Sequence, residues 1–231
     1  MKRLIVVGVG LVALVPVASA EAQAGATCFG RSATIQGTLA SEDIWGTFRP
    51  DVIVAKAGDD TVHALDGTDL VCGNSGIDLL AGHGDDDFLD VGTGSSFGDH
   101  EELRGGSGDD ELLLEDTNAA ATGLGGSGDD IFRGNDLTNN VWGDSGDDHL
   151  FGRGGLDFLA GMSGSDSMDG GDGSDRVNGL SGDDTIFGGE GSDSMGGGGD
   201  DDHLEGHGGS DSADGGSGID FCDAETETNC P

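Results

Sequence analysis

The chain has few of the residues that bind nucleic acid or build a large apolar core. It contains 9 lysines and arginines against 46 aspartates and glutamates, a formal net charge of −37. Phosphate binding requires clustered basic side chains, so nucleic acid is excluded as a partner and an anionic membrane surface is disfavoured. There is no tyrosine, and aromatic residues make up 5% of the chain. Such a composition is typical of disorder unless something else stabilises a fold.

One long apolar run lies at the N-terminus. Lys2 and Arg3 precede the apolar residues 4–17, and the triplet Ala-Ser-Ala follows at 18–20. This order predicts a secretory signal peptide that is cleaved after Ala20. A membrane anchor is the weaker alternative, because a span needs about 20 apolar residues. We therefore predict an extracellular protein with no membrane span in the mature chain.

The chain has four cysteines, and all of them lie beyond residue 20: Cys28, Cys72, Cys222 and Cys230. An even number of cysteines in an exported chain favours disulfides, although four cysteines allow three pairings. Chain position favours Cys28 with Cys72 and Cys222 with Cys230. A zinc site is disfavoured because no two cysteines have C-x-x-C spacing.

A nine-residue repeat, Gly-Gly-x-Gly-x-Asp-x-apolar-x, fills most of the chain. From Gly125 to Asp223 it runs through eleven copies in unbroken phase, as in "GGDGSDRVNGLSGDDTIF" at 170–187. A less strict block covers 37–90, and one further copy covers 105–113. Random low-complexity sequence would not keep an acidic sixth position and an apolar eighth position in register over so many copies. The repeat therefore excludes disorder as the final state.

Each copy predicts one short strand and one turn. The last three residues form the strand, with the apolar side chain facing inward, and the glycines form the turn because glycine adopts positive φ without a steric penalty. Two copies make one 18-residue coil, and stacked coils make an all-β, right-handed parallel β-roll, which is a β-solenoid. The interruptions at 91–104 and 114–124 are interpreted as loops at the side of the array, or as a seam between two stacked segments.

The repeat also predicts how the chain is divided. The predicted parts are a signal peptide (1–20), an N-terminal segment (21–36), a degenerate roll segment (37–113) with a loop at 91–104, a loop (114–124), a regular roll segment (125–223) and a disulfide-linked tail (224–231).

The repeats resemble the RTX, or hemolysin-type, calcium-binding repeat family over residues 37–90 and 105–223. The resemblance implies that each calcium ion lies between one turn and the equivalent turn one coil later. Calcium prefers six to eight oxygen ligands, which carboxylates and turn carbonyls can supply. The predicted ligands are the sixth-position aspartates Asp60, Asp69, Asp78, Asp87, Asp110, Asp130, Asp148, Asp157, Asp166, Asp175, Asp184, Asp193, Asp202, Asp211 and Asp220. We predict multiple Ca²⁺ ions and a chain that folds on binding them.

Two sixth positions depart from this pattern, because Glu42 and Asn139 lie in turns that lack the central glycine. We expect calcium binding at these two positions to be weak or absent. The sequence "GSSFG" at 94–98 formally matches a nucleophile elbow at Ser96, which keeps a secreted hydrolase with a site in 91–124 as the alternative function. Because the repeats begin soon after the predicted signal peptide, we expect no separate catalytic domain. We therefore predict a structural or surface calcium-binding module that is not an enzyme, with its protein or glycan partner unidentified.

Overall fold

The computed structural model describes residues 26–93, 100–114 and 119–230. Within these ranges the chain consists of strands and turns without any helix, so none of their elements is a helix that could cross a membrane. The predicted signal peptide and Ser96 lie outside the described residues.

In the described ranges, twenty-five strands form one hairpin and two long parallel sheets. The antiparallel hairpin consists of β1 (Thr27–Cys28) and β2 (Arg31–Ser32). The 12-strand sheet contains, in spatial order, β3 (Ile35–Gln36), β5 (Val52–Ala57), β7 (Leu70–Ser75), β9 (Phe88–Gly92), β11 (Glu111–Leu113), β13 (Ile131–Arg133), β15 (His149–Phe151), β18 (Ser167–Gly173), β20 (Thr185–Gly191), β22 (His203–Gly209) and β24 (Phe221–Asp223), with β16 (Gly154–Gly155) beside β18. The 11-strand sheet contains β4 (Asp43–Trp45), β6 (Thr61–Asp66), β8 (Leu79–Gly84), β10 (His100–Ser107), β12 (Ala120–Ser127), β14 (Asn139–Ser145), β17 (Phe158–Ser163), β19 (Arg176–Ser181), β21 (Ser194–Gly199), β23 (Ser212–Ser217) and β25 (Thr226–Thr228).

The chain passes from one sheet to the other at every turn. In the regular segment each strand pairs in parallel with the strand two repeats later, as in Phe158 with Arg176 and Arg176 with Ser194. One coil of the solenoid is therefore two repeats long. This confirms the predicted all-β parallel roll and its 18-residue period.

The core is a single column of side chains between the sheets. The eighth-position residues of the regular segment are buried from Phe132 to Ala213, and they form one cluster with the eighth-position residues of the earlier block. Each coil adds only two such side chains to the core. The free energy gained by burying them is small compared with the entropic cost of ordering a whole coil, much of which is glycine.

The two interruptions are insertions into one continuous stack, not a seam. Both sheets run through them without a break, and strands β10 and β12 begin inside the predicted loops 91–104 and 114–124. Those loops were therefore predicted too long. Leu103 pairs with Leu80 and fills the eighth position, while the next coil has Gly123 there. A Cβ on Gly123 would collide with the ring of Phe132, so this ring fills the core at that level.

Most turns of the regular segment have positive φ at the second and fourth positions of the repeat. The second-position residues Gly126 and Gly171 have φ of 121° and 97°, and the fourth-position Gly128 has φ of 120°. Leu180 and Met162 adopt φ of 84° at the second position, although this conformation costs a residue with a Cβ on the order of 1–2 kcal/mol. The predicted role of glycine is confirmed at these two positions, and strand pairing on both sides holds the non-glycine residues in place.

Both predicted disulfides are present, at opposite ends of the roll. Cys28 and Cys72 have Cα atoms 5.8 Å apart, and their bond holds the β1–β2 hairpin against the outer face of the 12-strand sheet. Cys222 is bonded to Cys230, with Cα atoms 5.9 Å apart. The tail between them supplies β25, which extends the 11-strand sheet beyond β23.

Candidate metal centres

The sixth-position aspartates lie at the ends of the turns, directly before the strands, and they are buried. Asp148, Asp166 and Asp184 are 0%, 2% and 1% exposed. The same holds for the other predicted ligands, none of which is more than 6% exposed. A buried carboxylate is costly unless its oxygens are hydrogen-bonded or paired with a cation.

One oxygen of each predicted ligand accepts a hydrogen bond from the coil before it. The backbone N–H of Asp148 donates to Oδ1 of Asp166 (2.8 Å), and the N–H of Asp166 donates to Oδ1 of Asp184 (2.9 Å). The same bond joins Asp157 to Asp175 at the opposite side of the roll, at 2.8 Å. The structure therefore brings together the neighbours, one coil apart, that the repeat predicted.

Side chains joined by these bonds form a column along each side of the roll. On one side the column has no gap, and we call it the continuous edge. Its turns lead into the 12-strand sheet, and each member's N–H donates to an Oδ1 of the next member. The members are Asp51, Asp69, Asp87, Asp110, Asp130, Asp148, Asp166, Asp184, Asp202 and Asp220.

The column on the other side, which we call the interrupted edge, leads into the 11-strand sheet. Its members are Glu42, Asp60, Asp78, Glu101, Asn139, Asp157, Asp175, Asp193, Asp211 and Glu225. Ala121 occupies the register position between Glu101 and Asn139, so no carboxylate lies there.

Two members of this column, Glu101 and Glu225, were missed from the sequence. Oε2 of Glu101 accepts the N–H of Asp78 (2.6 Å), and Oε2 of Glu225 accepts the N–H of Asp211 (2.8 Å). Insertions and the shortened last coil shift both glutamates out of the nine-residue phase. For Glu101 a signal did exist, because it precedes Leu103 by two residues, as Asp148 precedes Leu150.

The second oxygen of nearly every predicted ligand is buried without a hydrogen-bond partner. This set of Oδ2 atoms belongs to Asp60, Asp69, Asp78, Asp87, Asp110, Asp130, Asp148, Asp157, Asp166, Asp175, Asp184, Asp193, Asp202 and Asp220, so Asp211 is the one predicted ligand outside it. An unsatisfied buried acceptor costs about 1–3 kcal/mol, and more when it is charged. Fourteen such atoms in register point to a cation that satisfies them.

The first-position glycines make room for these oxygens. A Cβ on Gly143 would collide with Oδ2 of Asp148 and lie 2.9 Å from the carbonyl oxygen of Gly161, one coil later. Gly143 does not have positive φ. Our prediction that the turn glycines serve positive φ is therefore wrong at the first position, where glycine is required because a carboxylate approaches the backbone.

These surroundings fit calcium. A carboxylate oxygen and a carbonyl oxygen converge over most of these glycines, such as Gly143 and Gly179, and hard oxygens are the ligands that calcium prefers. Across the described ranges, no group of three or more His, Cys, Asp or Glu side chains is arranged to hold a metal ion. Backbone carbonyls would therefore have to supply much of the coordination.

Three sixth positions satisfy their side chains within their own turn. Oε2 of Glu42 accepts the N–H of Thr38 (2.7 Å), and Oδ2 of Asp51 accepts both the N–H and the hydroxyl of Thr47 (2.8 Å each). The turn at Asn139 is closed by its own hydrogen bonds, which include Nδ2 of Asn139 to Oδ1 of Asn135 (3.1 Å). These bonds support the expectation that Glu42 and Asn139 have weak or no calcium sites, and they add Asp51 to that group.

Burial and mutual repulsion raise the pKa values of aspartates in both columns. Desolvation, followed by the charges of Asp130 and Asp166, raises the pKa of Asp148 to about 7, while the hydrogen bond from the Asp130 backbone opposes the rise. The pKa of Asp87 rises to about 8, again mainly through desolvation. On the interrupted edge the pKa of Asp157 rises to about 7, again mainly through desolvation. Below about pH 7 these three aspartates therefore hold protons in the metal-free fold that the unfolded chain releases.

The pKa directions predict that acid stabilises the calcium-depleted fold. The raised pKa values of Asp148 and Asp157 contribute stability that is complete below the unfolded value of 3.8 and is lost as the pH rises through about 7. Calcium-depleted protein should therefore show a stronger β signal in circular dichroism at pH 5 than at pH 8. With calcium present the order should reverse, because protons compete with the ion. Equal signals at the two pH values in calcium-depleted buffer would contradict this expectation.

Comparison with known proteins agrees with the geometry. The chain matches the RTX calcium-binding nonapeptide repeat in overlapping segments that together span residues 45–98 and 124–222. The chain belongs to this family. No curated protein matches it. The RTX matches stop before Glu101 and resume after Gly123, so they leave out the coil in which the insertions disturb the phase.

Neither of two motifs that resemble catalytic ones gains support from the described residues. Ser96 lies outside them, and Nε2 of the nearby His100 lies 2.8 Å from the hydroxyl of Thr122. The sequence "HLEGH" at 203–207 belongs to strand β22 and not to a helix, and the carboxylate of Glu205 lies between the rings of His203 (2.7 Å) and His207 (3.1 Å). This is not the helical arrangement of a zinc protease.

Proposed function

We propose that this RTX repeat chain is an extracellular calcium-binding protein, that many calcium ions line both edges of its roll, and that it folds when they bind. The register of buried, unpartnered Oδ2 atoms carries this proposal. When bound, calcium supplies positive charge that offsets the carboxylates and links successive coils. The protein then acts as a structural or surface module and not as an enzyme.

Each part of the turn has one role in this function. The sixth-position aspartate would hold the ion with its unpartnered Oδ2, while its Oδ1 keeps the hydrogen bond to the neighbouring coil. The first-position glycine leaves space for the carboxylate, and the turn carbonyls complete the oxygen shell. The two disulfides support an extracellular location, because such bonds persist in oxidising compartments.

Isothermal titration calorimetry of the exported chain with calcium tests the proposal. We expect binding of on the order of a dozen Ca²⁺ ions per chain, with Mg²⁺ much weaker because it requires octahedral geometry at shorter distances. The variant Asp148→Ala should bind fewer ions than the wild type. As a matched control, Asp214→Ala removes an exposed strand aspartate of the same charge and should keep the full number. Fewer than one ion bound per chain would refute the proposal.

A further inference from the structure

The two edges of the roll differ at the fifth position of the repeat. On the continuous edge a second aspartate precedes the buried one in six turns, at Asp86, Asp109, Asp129, Asp147, Asp183 and Asp201. On the interrupted edge the turns of the regular segment have neutral residues there: Thr138, Leu156, Ser174, Ser192 and Ser210. The exception in the earlier block is Asp59. The continuous edge therefore has up to two carboxylates per turn, and the interrupted edge has mostly one.

The fifth-position aspartates are held in place between the coils. The N–H of Asp147 donates to Oδ1 of Asp129 (2.8 Å), and the N–H of Ser165 donates to Oδ1 of Asp147 (2.7 Å). These bonds run opposite to those of the sixth position, since here the later coil donates to the earlier one. On the interrupted edge the N–H of Ser192 donates to the hydroxyl of Ser174 (3.3 Å), which makes the same link without a charge.

The outer carboxylates lie directly beside the buried ones along the chain. Asp129 precedes Asp130, and Asp147 precedes Asp148. The added negative charge therefore lies one residue from the unpartnered Oδ2 atoms of the continuous edge. On the interrupted edge Ser174 has the same position without a charge.

The columns also differ in continuity. The continuous edge has an aspartate at every coil from Asp51 to Asp220. On the interrupted edge Ala121 and Asn139 separate two blocks, Asp60–Glu101 and Asp157–Glu225.

We propose that the two edges bind calcium with different affinities, such that the continuous edge fills first and the interrupted edge fills later, as two independent blocks. This inference rests on the proposed function. Calcium affinity depends on the number of negative charges around the ion and on the rigidity of the site, and the continuous edge exceeds the other in charge. At intermediate calcium concentrations, ions then occupy only the continuous edge of the roll.

Calorimetric titration of the full disulfide-bonded chain tests this inference. We expect two classes of calcium sites whose dissociation constants differ at least about tenfold. The double variant Asp129→Asn/Asp147→Asn keeps the acceptor oxygens and all sixth-position acids, so it should weaken part of the tight class about tenfold without changing the total stoichiometry. The control Asp43→Asn/Asp214→Asn removes the same charge from exposed strand positions and should leave the tight class unchanged.

The reciprocal variant is Ser174→Asp/Ser192→Asp, which adds charge to the interrupted edge and should move its sites toward the tight class. A single class of sites in the wild type would overturn the inference, as would equal weakening in the Asn double variant and its control. Either result would leave the proposed function intact, because calcium would still bind. Absence of calcium binding would instead refute the proposed function itself.

Discussion

Excess chelator at pH 8 is expected to unfold the roll from its first coil to its last. Without calcium at this pH, ionised carboxylates in the buried columns repel one another, and fourteen acceptor atoms lack partners. Like charges in a stack lie about one inter-strand spacing, about 4.8 Å, apart. The thin core does not compensate, because each coil of the regular segment contributes only two apolar side chains to it. Circular dichroism should therefore show loss of the β signal with chelator and its recovery with calcium.

The disulfides do not prevent this loss. The bonds Cys28–Cys72 and Cys222–Cys230 lie at the two ends of the roll, so no disulfide cross-links the coils between 73 and 221. Restoring the ionic strength with sodium chloride in place of calcium controls for simple screening, and it should recover little of the signal. A complete β signal in chelator at pH 8 would contradict calcium-dependent folding.

The substitution Gly143→Ala is expected to weaken calcium binding and to destabilise the roll at the same time. The new Cβ would be forced against Oδ2 of Asp148 and against the carbonyl of Gly161, both of which belong to the oxygen cluster. Overpacking of this kind costs about 1–3 kcal/mol, and the loss of the ion bound there adds to that cost. The variant should bind less calcium and unfold at a lower temperature than the wild type.

Gly199→Ala is the matched control. It makes the same chemical change at another turn glycine without positive φ, where the nearest atom to the new Cβ, the Ser217 hydroxyl oxygen, is 3.7 Å away. Thermal unfolding in saturating calcium, together with calorimetric stoichiometry, distinguishes the two variants. If Gly143→Ala resembles Gly199→Ala in both measurements, the first-position glycine does not serve the carboxylate.

The regular part of the fold could be predicted because its signals are local and periodic. Each eighth-position side chain, such as Leu150 or Ile186, faces the core as its phase requires. Asp148 and Asp166 become neighbours because parallel strands that are one coil apart in sequence lie side by side. The disulfide pairing followed from chain position, and both bonds form.

The features that could not be predicted from the sequence depend on how coils with insertions stack. Glu101 reaches its column only because strand β10 resumes the register after an insertion, and Gly123 is tolerated only because Phe132 fills its space. No count of residues along the chain reveals such compensation, because it depends on side chains from different coils.

By itself, the sequence determined the period, the inward-facing residues and the oxygen-rich chemistry of the turns, since each is a property of one nine-residue unit. Only the tertiary structure decided that, in fourteen buried aspartates, one oxygen is bonded to the neighbouring coil while the other has no partner. It also decided that Gly143 is needed for the approach of Asp148, and that one column is continuous while the other is interrupted. These properties belong to contacts between coils, and such contacts exist only after the chain has stacked.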